Sequence, residues 1–310
     1  MRCSIRASGI GEKMSDAAPV VTYRVPKQHH PLLAFIVYQP MGTFGLVVIL
    51  AMVFAAAFAP WVAPHDPLAV DYANLMAPPS WEHWLGTDNF GRDVLSRIIY
   101  GAQTALAVGF LSSFWGSTVG AVIGVVSAYF GGKTDMIIQR FMDVLLSFPI
   151  IVLALAVVAI LGKNIVFGID LNLIFAIGLP MVPKVARVVR SSALAIRELP
   201  YIDAARAAGF SHTRIIFRHI VPNVVAPFLI MLTAFVGQAI LLEASLSFLG
   251  LGVTEPTPAW GLMLSGSAAD FYREAPWMII FPGVAISLAV FAFNLFGDSL
   301  RDWLDPKIKL

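Results

Sequence analysis

Apolar residues run along this chain in long unbroken blocks, separated by short polar punctuation. The block 41–62 carries no charge and stops at Pro64-His65-Asp66. About twenty apolar residues in a helix cross the roughly 30 Å of a bilayer's hydrocarbon, so this block predicts a first membrane span. A second charge-free run, Ile98 to Gly132, would be about 50 Å long as one helix, more than one upright span needs. Gln103 and Thr104 predict its division into a short interfacial helix and a span at 104–129, with Gly131-Gly132 as the stop. A third span is expected at 143–162, with Phe148-Pro149 bending its first turn. The fourth apolar block, Leu171 to Pro183, is short. It crosses only as a helix at 171–189 in which Lys184 and Arg187 reach for the headgroups. Pro180 and Pro183 predict distortion there. The fifth and sixth spans are expected at 226–248 and 277–297.

Composition agrees. The 310 residues are 58% hydrophobic and 13% charged, with a mean hydropathy of +0.79. Water-soluble domains carry nearer a quarter charged residues, so there is too little polar surface here to cover a soluble body. The fold class is therefore an all-α integral membrane protein with six transmembrane helices. Placing the N-terminus inside leaves only Arg92, Arg97, Lys163 and Arg273 outside; the rest of the 21 Lys and Arg fall inside. That asymmetry satisfies the positive-inside rule and predicts both termini to be cytoplasmic. The expected organisation is a cytoplasmic tail (1–40), a first span (41–62), an extracytoplasmic segment (63–103), a core transmembrane unit (104–297) and a C-terminal tail (298–310). The first forty residues hold no apolar core before Pro31 and do not read as a cleaved signal; Met14 is an alternative start. The net charge of +2 points to no nucleic-acid partner, and the lone Cys3 allows no internal disulfide.

The inside loop between spans four and five, 190–223, reads as helix, glycine turn, helix. Pro200 suits a helix start, Gly209 suits the residue just past its end, Ser211 suits the cap of a second helix, and Pro222 is expected to end that helix. The first helix offers Ala204, Ala205, Ala207 and Ala208; the second offers Ile215, Ile216, Phe217 and Ile220 beside Arg214 and Arg218. Such a pair suits docking into a partner's groove or packing back on its own bundle.

Here the sequence resembles a known family. Asp203-Ala204-Ala205, Gly209 and Pro222 resemble the EAA loop of ABC importer permeases: Glu-Ala-Ala, three residues, Gly, nine residues, Ile, any residue, Leu-Pro. Asp203 stands for Glu, His219 for Ile and Val221 for Leu. Leu85-Gly86-Thr87-Asp88, Gly91 to Arg97, Glu243 to Gly252, Pro256 to Gly261 and Asn294 to Asp298 resemble the second (C-type) permease subunit of the dipeptide, oligopeptide and nickel branch. The resemblance implies a type I importer permease fold. It also implies a second permease subunit, two ATPase subunits that bind ATP-Mg, an extracytoplasmic solute-binding protein and the lipid of a bacterial inner membrane. No cofactor is expected on this chain, which lacks a Gly-x-x-x-x-Gly-Lys-Ser/Thr phosphate loop, and it is expected to carry no catalysis. Peptides are the implied cargo, with nickel, glutathione-like thiols and opines also open. The alternative is an ion-coupled secondary transporter using Glu243.

Individual polar residues add less. Glu243, near the outer end of span five, reads either as a pathway or gate residue or as a tie to the following loop. His29, His30, His65, His83, His212 and His219 show no spaced ligand cluster, so no metal site is expected, including at His65-Asp66 or Glu82-His83. Ser112, Ser113 and Ser117 read as helix packing contacts. Trp61, Trp81, Trp84, Trp260 and Trp277 read as anchors at the outer membrane interface. Asp66, Asp71, Glu82, Asp88 and Asp93 form either part of a surface that receives the binding protein or a solvated loop.

Overall fold

The computed structural model describes residues 31–166 and 168–304; His29, His30, Cys3 and Met14 lie outside them. The chain runs through α1 (Pro31–Tyr38), α2 (Pro40–Ala57), α3 (Ala59–Val62), α4 (Val94–Phe130), α5 (Gly132–Leu146) and α6 (Ile150–Leu161). A two-residue hairpin, β1 (Ile165–Val166) with β2 (Ile169–Asp170), leads to α7 (Leu171–Gly178) and α8 (Val182–Arg197), joined by a 3₁₀ turn at Leu179–Met181. Then follow α9 (Pro200–Ala207), α10 (His212–Ile215), a π turn at Ile216–Ile220, α11 (Val221–Phe248), α12 (Trp260–Met263), α13 (Ser267–Asp270) and α14 (Trp277–Leu304). Among the described residues, 5 helical stretches are long and apolar enough to cross a bilayer, and 6 if the bent pair α5 and α6 counts as one span.

Four sequence expectations change. The first span ends at Ala57, and the turn at Phe58 sets α3 apart from it. The second apolar run is not divided at Gln103-Thr104: α4 is one helix of 37 residues. Neither residue breaks a helix, and each uses its side chain to reach a neighbour. Gln103 Nε2 donates to the Ala56 carbonyl (2.8 Å) and Thr104 Oγ1 to the Pro258 carbonyl (2.9 Å). At Ser147-Phe148-Pro149 the expected bend is a full corner, 91° between α5 and α6. Pro222 does not end the second loop helix. It lies in the first turn of α11, where a missing N–H costs little, and the wider π turn just before it keeps one helical path from His212 to Phe248. The short fourth block does run on, as expected from Lys184 and Arg187, and reaches Arg197.

The core lies where α4, α7, α8 and α11 meet, around Ile177, Val185, Val189, Ala239 and Leu246. A close seam follows from Gly116, Gly120 and Gly124, spaced four apart on one face of α4. A Cβ on these residues would lie 2.5 Å from the Gly178 carbonyl oxygen, 2.6 Å from that of Val182 and 2.5 Å from that of Ala186. The two backbones therefore touch, which only small residues allow. Ser113 on the same helix donates to the Leu232 carbonyl of α11 at 2.7 Å, one of the packing contacts expected of the serines. The outer faces remain apolar, with Val47, Leu50, Phe54, Phe110, Val284 and Phe291 exposed. Such a surface would aggregate in water but matches hydrocarbon.

Helix ends are satisfied locally. Asp93 caps α4, its Oδ2 accepting from the Ser96 N–H (2.8 Å) and hydroxyl (2.7 Å). At the other end Arg197 Nη1 donates to the Ala128 carbonyl (2.8 Å). Between these ends α4 extends about 55 Å, so it reaches two separate polar regions.

Candidate functional site

At the C-terminal end of α4 stands the hairpin α9–α10. Ile202, Ala205, Ile215 and Ile220 are buried and root it in the core. Gly209 turns the chain at φ +77°, and the Phe210 N–H reaches back to the Ala205 carbonyl (3.1 Å). This is the glycine helix stop expected from sequence. Ser211 caps α10 through the Arg214 N–H. The opposite rim is exposed: Asp203, Ala204, Ala207, Ala208, Gly209, Phe217, Arg218 and Pro222. Of the residues predicted for this site, Ala205 alone belongs to the root; Asp203, Ala204 and Gly209 form the free edge. Asp203 pairs loosely with Arg206 (3.2 Å), an exposed contact worth little by itself.

Further contacts fix the hairpin to the spans. Tyr129, at the end of α4, hydrogen-bonds His212 Nδ1 at 2.7 Å, and the Arg206 guanidinium lies 5.9 Å from the Tyr129 ring centre. Arg190 of α8 pairs with Asp135 of α5, and Asp135 also accepts from Ser127 of α4 (2.5 Å). Displacing the hairpin therefore pulls on α4 directly, and α4 is joined to α5 and α8.

At the other end of α4, two loops distant in sequence are clamped together. Arg92 donates through Nε to Asp88 (2.7 Å) and through Nη1 to Glu255 (2.7 Å). Arg97, 1% exposed, reaches Glu255 at 3.5 Å. Burial alone would raise the Glu255 pKa. The Arg92 hydrogen bond, with the charges of Arg97 and Arg92, outweighs it and holds this carboxyl below the usual glutamate range. A depressed pKa gives stability that is present above the ordinary value of about 4.3 and lost as pH falls through the folded value. Glu255→Gln should therefore destabilise the detergent-solubilised protein at neutral pH, by no more than about 1 kcal/mol because solvent screens the half-exposed Glu255 carboxylate. The difference should begin to shrink below about pH 4.3 and vanish only below the lowered folded value; parallel melting curves for both proteins down to acid pH would contradict the clamp.

This clamp revises two sequence expectations. Asp88 and Asp93 are buried, so among the five loop acids Asp66, Asp71 and Glu82 are the ones left at the surface. Trp260 and Trp277 are not interface anchors. The Trp260 indole N–H donates to the Ile98 carbonyl of α4 (2.9 Å) and that of Trp277, at the start of α14, to the Thr87 carbonyl in the loop before α4 (3.0 Å), while Trp61, Trp81 and Trp84 are exposed. Glu243 is 1% exposed and accepts from the Ser247 hydroxyl (2.6 Å), which itself accepts from the Val253 N–H (3.0 Å). The geometry is a tie from α11 to the next loop. Sequence reading missed the clamp because Arg92 and Glu255 are far apart in the chain; the glycine spacing on α4 was visible there but unused.

The site is thus a rooted, outward-presented helical hairpin on a multi-span helical bundle. Residues 120–310 match the family described as binding-protein-dependent transport system inner membrane component, and residues 37–79 match the N-terminal transmembrane domain of oligopeptide transport permease C. The chain belongs to this family: it is a multi-pass inner-membrane permease subunit of an ABC importer, working with ATPase and substrate-binding partners. It is 44% identical over 269 residues to the dipeptide transport system permease protein DppC of Alkalihalophilus pseudofirmus, covering 87% of this chain and 86% of the relative. It is 43% identical over 272 residues to the glutathione transport system permease protein GsiD of Escherichia coli, covering 87% and 88%. Its fold is similar to that of a solved inward-facing MetNI methionine ABC transporter chain, with a TM-score of 0.52 and 19% identity over 68% of this chain and 98% of that one.

Proposed function

We propose that this subunit pairs with a different second permease to form the pathway for peptides or a related small solute. Its hairpin at 200–220 sits in a groove of an ATPase subunit. The observation that carries the reading is the division of the hairpin into a buried root and an exposed rim of small residues around Asp203, Ala204 and Gly209. A rim of alanines lets a partner's backbone approach closely, and Phe217, 69% exposed, supplies an apolar anchor of the kind that dominates docking. ATP-Mg binds on the ATPases, and this chain binds no nucleotide and performs no chemistry. Glu243 serves as a loop tie rather than a gate. Relatives named for dipeptide and glutathione transport support a peptide-like cargo.

Both termini are proposed to be cytoplasmic, which requires α5 and α6 together to cross once. The test labels Ala208→Cys in sealed cells with a membrane-impermeant thiol reagent and purifies the permease from its native operon. Protection of that cysteine together with recovery of both ATPases is the expected result. Labelling from outside, or a permease that transports without ATPases, would overturn the reading.

A further inference from the structure

The segment leaving the first span and the start of α4 meet at His65, His83 and Asp93. Potential ligand atoms of the three lie within 4.8 Å of one another. Asp93 Oδ1 is 3.0 Å from His83 Nδ1 and 3.8 Å from His65 Nδ1. The imidazole ring centres are 4.7 Å apart. Asp93 and His83 are 2% and 8% exposed.

Hydrogen bonding alone leaves this arrangement incomplete. Asp93 Oδ2 is occupied by the Ser96 N–H and hydroxyl, so Oδ1 is the oxygen turned toward both rings. His83 can donate to it. His65 Nδ1 is buried and has no hydrogen-bond partner, although its backbone is held in place: the His65 backbone N–H donates to Ser96 Oγ at 3.1 Å. A buried, unpaired imidazole nitrogen is costly unless something else takes its lone pair.

We propose that His65, His83 and Asp93 bind a divalent transition metal ion, Zn2+ by donor type, at the outer end of the permease. Two neutral imidazoles and one carboxylate form a donor set suited to Zn2+, with water as the fourth ligand. Bonds of about 2.0–2.1 Å give tetrahedral edges of about 3.3 Å, between the two distances to Asp93 Oδ1. His83 coordinates through Nδ1 as the tautomer with its proton on Nε2, so the ring stays neutral and Asp93 keeps its charge. The partial positive charge at the start of α4 opposes a cation, so the carboxylate charge is essential. Ser96 is the supporting group, orienting Asp93 and anchoring the His65 backbone at once. A bound ion would staple the loop after the first span to the second span, next to the Arg92–Glu255 clamp. The site is independent of what the permease carries.

The test uses the full-length permease, purified without a polyhistidine tag, stripped with chelator and titrated with Co2+ and then Zn2+. The expected result is one Co2+ per chain with the ligand-field absorption of a four-coordinate ion, bleached by Zn2+, and a melting temperature raised by Zn2+. His65→Ala and His83→Ala should each weaken Zn2+ binding by at least about tenfold. Asp66→Asn, adjacent but outside the cluster, should leave it unchanged. If His83→Ala fails to accumulate, the more exposed His65→Ala decides. Absence of the Co2+ band, or equal Zn2+ affinity in wild type and His65→Ala, would overturn the proposal.

Discussion

Gly209→Val should insert in the membrane at normal levels and yet transport poorly, with uptake and ATPase stimulation both falling about 5–30-fold. The reason lies in the backbone. Gly209 has φ +77°, and a Cβ there would meet nothing within 4 Å, so crowding plays no part. A left-handed conformation costs an L-residue about 1–2 kcal/mol, and a β-branched side chain suffers most. The substituted chain escapes by reopening the turn. This swings α10 away from α9 and breaks up the exposed rim while the buried root stays in place. Asn tolerates the left-handed region better than other side chains, so Gly209→Asn should recover much of the activity. Wild-type uptake and ATPase stimulation in the valine variant, measured with partner subunits in vesicles, would remove the hairpin from the coupling path.

Gly120→Leu should fail earlier, at folding. The new Cβ would lie 2.6 Å from the Val182 carbonyl oxygen, 2.8 Å from Val185 Cβ and 3.2 Å from the Ala186 nitrogen. Two of those three atoms are backbone, so no rotamer change relieves the contact and the helices must part. Overpacking a core costs typically 1–3 kcal/mol when side chains can shift; here the cost should exceed about 3 kcal/mol, since backbone must move. Loss of the monodisperse peak after detergent extraction is the expected outcome. Gly283→Ala, placed where a Cβ meets nothing within 4 Å, should extract normally. Comparable yields and melting temperatures for Gly120→Leu and wild type would show that α4 and α8 do not depend on this close approach.

The same contrast separates what was readable in the chain from what was not. The Gly209 turn and the cap at Ser211 follow from local chemistry, and both were expected in place. The Ala205 side chain is different. Sequence grouped it with Ala204, but the helix period puts Ala205 against the core and Ala204 on the rim. Gln103 and Thr104 show the converse error: polar residues in an apolar run looked like a boundary, whereas their partners at Ala56 and Pro258 keep them inside a continuous helix. Trp260 and Trp277 were misplaced for the same reason, since their indole partners, on α4 and in the loop before it, are distant in sequence.

Sequence by itself determined the solvent and the places of the apolar blocks along the chain. Runs of uncharged apolar residues admit a bilayer and little else, and glycine, proline and capping residues act through bonds to near neighbours. Tertiary structure alone decided which polar groups face each other. His65, His83 and Asp93, or Arg92, Arg97 and Glu255, are brought together by loops folding over the end of one long helix. No local rule encodes the meeting of Arg92 and Arg97 with Glu255, because that carboxylate comes from a loop many positions away.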